Sequence, residues 1–114
     1  IWVLFQHVIA TYEDRRPDWK ILRMEDIARS PQSSFKDLYE YAGVIYTDQC
    51  KAVVNKHSRG SNPKEVDPGK AGVTKRDSRR VIHQWKRRLN DDQISHIRTR
   101  VERESSIFYG PSDW

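Results

Sequence analysis

The 114 residues contain one cysteine, Cys50, and one methionine, Met24. A lone cysteine excludes a disulfide framework and any multi-cysteine metal site, and it says nothing about the redox compartment. His7, His57, His83 and His96 lack the paired spacing that zinc requires, so no metal is expected and each is read as a surface or structural residue. Long apolar runs are missing too. The longest, residues 1–5, is far too short to span a bilayer, and no signal-peptide pattern is present. There is no Gly-x-x-x-x-Gly-Lys phosphate cradle, no nucleophile elbow, no internal repeat and no low-complexity tract. These absences leave composition and spacing supporting the binding of an anion rather than a reaction.

What is present is enough for a small fold: 36% hydrophobic residues, with four Trp and five Tyr, argue against disorder. The length fits one small domain or part of a larger one. The net charge of +5 is unevenly spread. Residues 56–88 hold eleven Lys or Arg against Glu65, Asp67 and Asp77, a local balance of +8 that leaves −3 for the remainder. A basic block beside an acidic remainder fits an anionic partner or a solvated basic surface.

Helical periodicity recurs along the chain. Ile1, Phe5, Val8, Ile9 and Tyr12 form one apolar stripe, which should end near Asp14 because Arg16 precedes Pro17. Residues 19–24 are a short apolar run read as one buried strand, and Asp26 is expected to cap a short turn after it. Ser30-Pro31 starts a helix with Phe35, Leu38, Tyr39 and Ala42 on its inner face and Gly43 at its end. Thr47 caps another, through Cys50, Val53 and Val54 to about Lys56. From His57 to Thr74 periodicity vanishes. Arg59-Gly60-Ser61-Asn62-Pro63 and Asp67-Pro68-Gly69 are turn chemistry, and Gly69 and Gly72 bracket Lys70-Ala71 in what reads as a flexible loop. Asn90 with Gln93 forms a capping box for a last helix along Ile94, Ile97 and Val101, ended by Tyr109-Gly110-Pro111. The sum is a mainly α chain with one short strand. A single strand must pair with something, so neighbouring strands are expected outside this chain. With Ile1 lying inside a periodic run, the sequence reads as a piece of a longer protein.

The most informative stretch is Thr74-Lys75-Arg76-Asp77-Ser78. A helix is expected to begin there, capped by Asp77 or Ser78 and carrying Val81, Trp85 and Leu89 on one face with Ile82 beside them. Its N-terminal N–H groups, with Arg76, Arg79 and Arg80, would make an anion site.

Several segments, in order, resemble sulfotransferases. Arg23-Met24-Glu25-Asp26-Ile27-Ala28-Arg29-Ser30-Pro31 resembles that family's R-Y-E-D-L-a-x-x-P segment, with Met24 where relatives often carry Tyr. Leu38-Tyr39-Glu40-Tyr41-Ala42-Gly43-Val44 is similar to the L-Y-x-F-a-G-L continuation. The stretch from Thr74 to Ser78, with Trp85, Lys86 and Leu89, resembles the T-x-R-[DN]-S…W-[RK]-x-x-L signature of carbohydrate sulfotransferases acting on galactose, N-acetylglucosamine or N-acetylgalactosamine 6-hydroxyls. Phe108-Tyr109-Gly110 resembles the closing region.

The resemblance implies the C-terminal portion of a P-loop-like α/β sulfotransferase domain spanning residues 1–114, with the N-terminal donor-binding half elsewhere. It implies 3′-phosphoadenosine 5′-phosphosulfate as co-substrate and a carbohydrate acceptor, such as a glycosaminoglycan or glycoprotein glycan. Arg76, Ser78 and Lys75 are the positions it assigns to the donor's 3′-phosphate. No catalytic residue is assigned, because the family's belong to the absent half. The implied location is the Golgi lumen in a membrane-anchored parent, or the cytoplasm in a bacterial one, with no membrane contact from this segment. Nucleic acid is not the expected partner, although a small basic helical nucleic-acid-binding module is the alternative, its helix lying on phosphates.

Overall fold

The computed structural model describes residues 1–65, 69 and 74–114, the side chains of Trp2 and Asp14 apart. Among the described residues the regular structure is six α-helices and two single-turn 3₁₀ segments, with no strand. The chain divides into two compact units, Ile1–Ile21 with Lys86–Trp114, and Leu22–Trp85.

In the first unit, α1 (Trp2–Arg15) packs on α6 (Asp91–Ser105). α1 stops where expected: Arg16, ahead of Pro17, leaves the helical region at φ −130°, ψ 72°. Its apolar stripe is present but lies outward, with Phe5 60%, Val8 40%, Ile9 37% and Tyr12 44% exposed. The residues turned inward, Val3, Gln6, Ala10 and Thr11, are smaller or polar. On α6 the capping box forms in both directions: Gln93 N–H donates to Asn90 Oδ1 at 2.9 Å, and Asn90 N–H to Gln93 Oε1 at 3.0 Å. Its inner face is Ile94, Arg98, Val101 and Ser105, while Ile97 is 40% exposed. The helix ends at Ser105, ahead of the expected Tyr109-Gly110-Pro111 stop, and Phe108 and Tyr109 N–H both turn back to the Ser105 carbonyl.

The expected strand does not form. Residues 19–23 have no regular structure and Met24 is already helical. A strand is stabilised by its ladder partner, and none of the described residues offers one. Trp19 instead stacks on Tyr12 at 5.2 Å, with the Arg16 guanidinium 4.9 Å above its ring and bridged to Asp18 at 2.6 Å.

The second unit holds α2 (Met24–Arg29), α3 (Pro31–Tyr41), α4 (Asp48–Ser58) and α5 (Ser78–Val81). α3 packs on both α2 and α4, and α2 also packs on α5. Asp26 sits in the first turn of α2, where it bridges Arg29 at 2.9 Å, and does not cap it; the cap position is Arg23. Pro31 takes the first turn of α3 as expected, but Ser30 makes no side-chain cap. Gly43 closes α3 at φ +68°. Val44 N–H reaches the Tyr39 carbonyl at 2.9 Å and Gly43 N–H that of Glu40 at 3.0 Å, the Schellman pattern. Thr47 caps α4 by accepting from Cys50 N–H at 3.3 Å. Tyr46 braces the two helices, donating to Gln32 Oε1 at 2.9 Å while Gln32 donates to the Lys51 carbonyl.

The helix expected from Ser78 to Leu89 is one α turn, a bend and a 3₁₀ turn at Trp85–Arg87. Tertiary tethers decide this. Ser78 and Arg79 are held by Ser58 and Arg29, and Ile82, rather than the Val81, Trp85 and Leu89 stripe, is the side chain taken into the core at 8% exposure. The stripe residues are half-buried.

Candidate anion-binding site

Two segments of the second unit, residues 56–63 at and beyond the C-terminal end of α4 and 74–78 leading into α5, are zipped together largely by main-chain groups. Arg76 N–H donates to the His57 carbonyl at 3.0 Å, and Asp77 N–H to that of Pro63 at 3.1 Å. Ser78 Oγ donates to the Ser58 carbonyl at 3.1 Å, and Thr74 Oγ1 lies 3.2 Å from His57 Nδ1. Asn62, 8% exposed, completes the seam with hydrogen bonds from its carboxamide to the Lys56 and Arg76 carbonyls. These bonds satisfy the Lys56, His57 and Ser58 carbonyls, which the C-terminal end of α4 leaves without helical partners, and the loop carbonyls of Pro63 and Arg76.

The seam determines which cations are committed. Arg79 Nε donates to the Arg29 carbonyl at 3.2 Å, satisfying an orphan acceptor at the end of α2. Arg80 bridges Asp77 at 3.2 Å, and Asp77 is 6% exposed. Asp77 occupies the cap position of α5 without a side-chain cap bond, and Ser78 is the first helical residue rather than the cap. Arg76 is different. Its guanidinium makes only long contacts to backbone carbonyls, 3.5 Å to Glu65 and 3.4 Å to Lys75, and no carboxylate pairs with it among the described residues. Lys75 is exposed, and its amine has no partner among the described residues. Of the three arginines expected to gather, then, two are structural, and the accessible charge is Arg76 with Lys75.

The helix-dipole part of the expected site is small. A four-residue helix aligns few peptide dipoles, so attraction here rests on side-chain charge. The Asp67-Pro68 part of the second expected turn, and the Lys70-Ala71 loop with Gly72, lie outside the described residues. Among those described, no three His, Cys, Asp or Glu side chains cluster as a cation site. Among the described residues no helix is long and apolar enough to cross a membrane.

Sequence reading missed Asn62 as an organiser. Its signal was an Asn-Pro pair in a turn, which marks irregular backbone but not what that backbone will meet. Also missed was the surrounding of Cys50. Thr47 Oγ1 donates to its sulfur at 3.2 Å, and these hydroxyls, Thr47 first and Tyr39 second, hold the thiol below its ordinary range.

Compared with known proteins, the chain is 28% identical over 89 residues to a protein described as carbohydrate sulfotransferase 1 from Danio rerio. The match covers 74% of this chain and 21% of that protein, so the chain spans about a fifth of the length of its relative. No family profile matches the chain, and no solved structure does. The likeness is of a sulfotransferase kind. It agrees with the motif resemblance at the level of class.

Proposed function

We propose that the chain is the C-terminal portion of a sulfotransferase domain, and that the whole enzyme transfers a sulfuryl group from 3′-phosphoadenosine 5′-phosphosulfate to a carbohydrate hydroxyl. The observation that carries the reading is the uncommitted Arg76 guanidinium, held by the seam beside an exposed Lys75. An arginine fork suits phosphate oxygens, and the neighbouring ammonium adds charge. Ser78 contributes less through its hydroxyl, which is donated to Ser58, and more through its backbone N–H, which has no partner among the described residues. Lys75, Arg76 and Ser78 would together hold the donor's 3′-phosphate.

The co-substrate supplies the transferable sulfuryl group. This chain's part is positioning, and such transfers depend mainly on alignment and charge stabilisation. The larger domain in this reading is supported by the outward apolar row of α1, which suits packing against further elements. Residues 1–114 alone would not turn over. The proposed setting is the Golgi lumen, with a glycosaminoglycan or glycoprotein glycan as acceptor.

Calorimetry with adenosine 3′,5′-bisphosphate, on the whole enzyme and its Arg76→Ala variant, tests the reading. A charge-assisted contact worth about 1.5–3 kcal/mol predicts an affinity loss of about ten- to a hundredfold. Equal affinity removes Arg76 from the site. No binding by the parent enzyme defeats the sulfotransferase reading, and salt-sensitive binding of nucleic acid in its place would favour the basic-module alternative.

A further inference from the structure

We propose that the trough between α3 and α4 binds an aryl anion, meaning a flat body of one or two aromatic rings carrying a single sulfonate, carboxylate or phosphate group. The trough has a volume of about 520 Å³, within the range of about 300–1,000 Å³ usual for small-molecule sites. Phe35 and Tyr39, one helical turn apart on α3, line it with Val53 and Val54 of α4. Two aromatic rings beside two branched aliphatic side chains suit another flat ring. They do not suit a sugar, whose hydroxyls would be desolvated against walls offering few hydrogen bonds.

Polar groups stand at the ends. Gln49 and His57 are two turns apart on α4 and line the trough at opposite ends of that helix face, about 12 Å apart by helical rise. His57 Nδ1 is engaged with Thr74, which leaves Nε2 without a partner among the described residues. Basic residues flank the His57 end in sequence, although no Lys or Arg is among the residues that line the trough. His57 and Ser58 line the trough, and their carbonyls receive Arg76 N–H and Ser78 Oγ. Residues 56–65 and 74–76 carry Lys56, Arg59, Lys64, Lys75 and Arg76 against Glu65 alone. A ring in the apolar slot with its anion toward His57 satisfies both halves. This site does not rest on the donor reading.

Cys50 makes the test direct, because it lines the trough and is the sole cysteine of the sequence. The probe is naphthalene-2-sulfonate, and the readout is the rate of Cys50 alkylation by iodoacetamide, with far-UV circular dichroism confirming the fold. The expected result is a rate that falls in proportion to the occupied fraction, with a midpoint equal to the calorimetric Kd. Neutral 2-naphthol and inorganic sulfate, each lacking one half of the recognition, should bind at least about tenfold more weakly. Val53→Trp fills the trough from a position that is 52% exposed, so it should slow alkylation unaided and abolish the sulfonate effect. Gln49→Phe, also at an exposed position, should do the same and guards against a misfolded first variant. Unchanged or faster alkylation at saturating sulfonate overturns the proposal, as does equal protection by 2-naphthol or sulfate. Protection by adenosine 3′,5′-bisphosphate without protection by the sulfonate would also overturn it, by giving the trough to the nucleotide.

Discussion

Asn62 donates its carboxamide to the backbone carbonyl of Arg76 at 3.2 Å, across fourteen residues, and to that of Lys56 at 3.0 Å. One buried amide thus fixes the position of the backbone that carries the accessible arginine. Removing it leaves two part-buried carbonyls short of a donor.

Asn62→Ala is therefore expected to destabilise the fold by about 1–3 kcal/mol, the cost of leaving buried polar groups unpaired. Asn62→Asp should be worse, because a carboxylate sets acceptor against acceptor at both contacts. Urea denaturation followed by circular dichroism measures each, and a loss below about 0.5 kcal/mol, the range of ordinary surface substitutions, would show that the seam holds without Asn62.

Gly43 offers a cleaner backbone test. A Cβ added there meets nothing within 4 Å, so only its φ of +68° opposes a side chain. Gly43→Ala should cost about 1–2 kcal/mol, and Gly43→Asn less, because Asn visits the left-handed region more readily. Equal stability of all three proteins would mean that α3 ends by some means other than the Schellman turn.

Cys50 carries the pH prediction. Hydroxyl donation from Thr47, and secondarily from Tyr39, favours the thiolate, so the thiol pKa lies below its ordinary value. The pH profile of alkylation should have its midpoint below that of a free cysteine. Thr47→Ala should move it upward, and Tyr39→Phe should do so by less. The linkage has a definite sign: the folded pKa is depressed, so the stabilisation is fully present above the unfolded thiol pKa and is lost as pH falls through the folded one. A midpoint unmoved by Thr47→Ala would remove that hydroxyl from the thiol's surroundings.

Local signals in the sequence determined most helix boundaries. Pro17 after Arg16, Pro31 at a first turn, Gly43 at positive φ, Thr47 as a cap and the Asn90–Gln93 box each act within about one turn of the residue concerned. That short range is why they could be read from one chain. The direction in which a face points is not local. The stripe Phe5, Val8, Ile9 and Tyr12 specified a helix, yet only packing on α6 decided that Val3 and Ala10 turn inward. Residues 19–24 had strand composition, but a strand exists only with a partner, and Trp19 found Tyr12 instead.

The opening of the basic block divides in the same way. The sequence by itself placed Lys75, Arg76, Arg79 and Arg80 within six residues and so determined that this stretch would be cationic. It could not say which of those charges would stay accessible. The tertiary structure decided that for Arg79 and Arg76: the distant Arg29 carbonyl takes Arg79, while the His57 carbonyl and the Asn62 carboxamide hold the Arg76 backbone and leave its guanidinium with long contacts. Arg80 pairs locally, with the Asp77 carboxylate three residues away. Charge is a property of composition, and its availability is a property of the partners that folding brings within hydrogen-bonding reach.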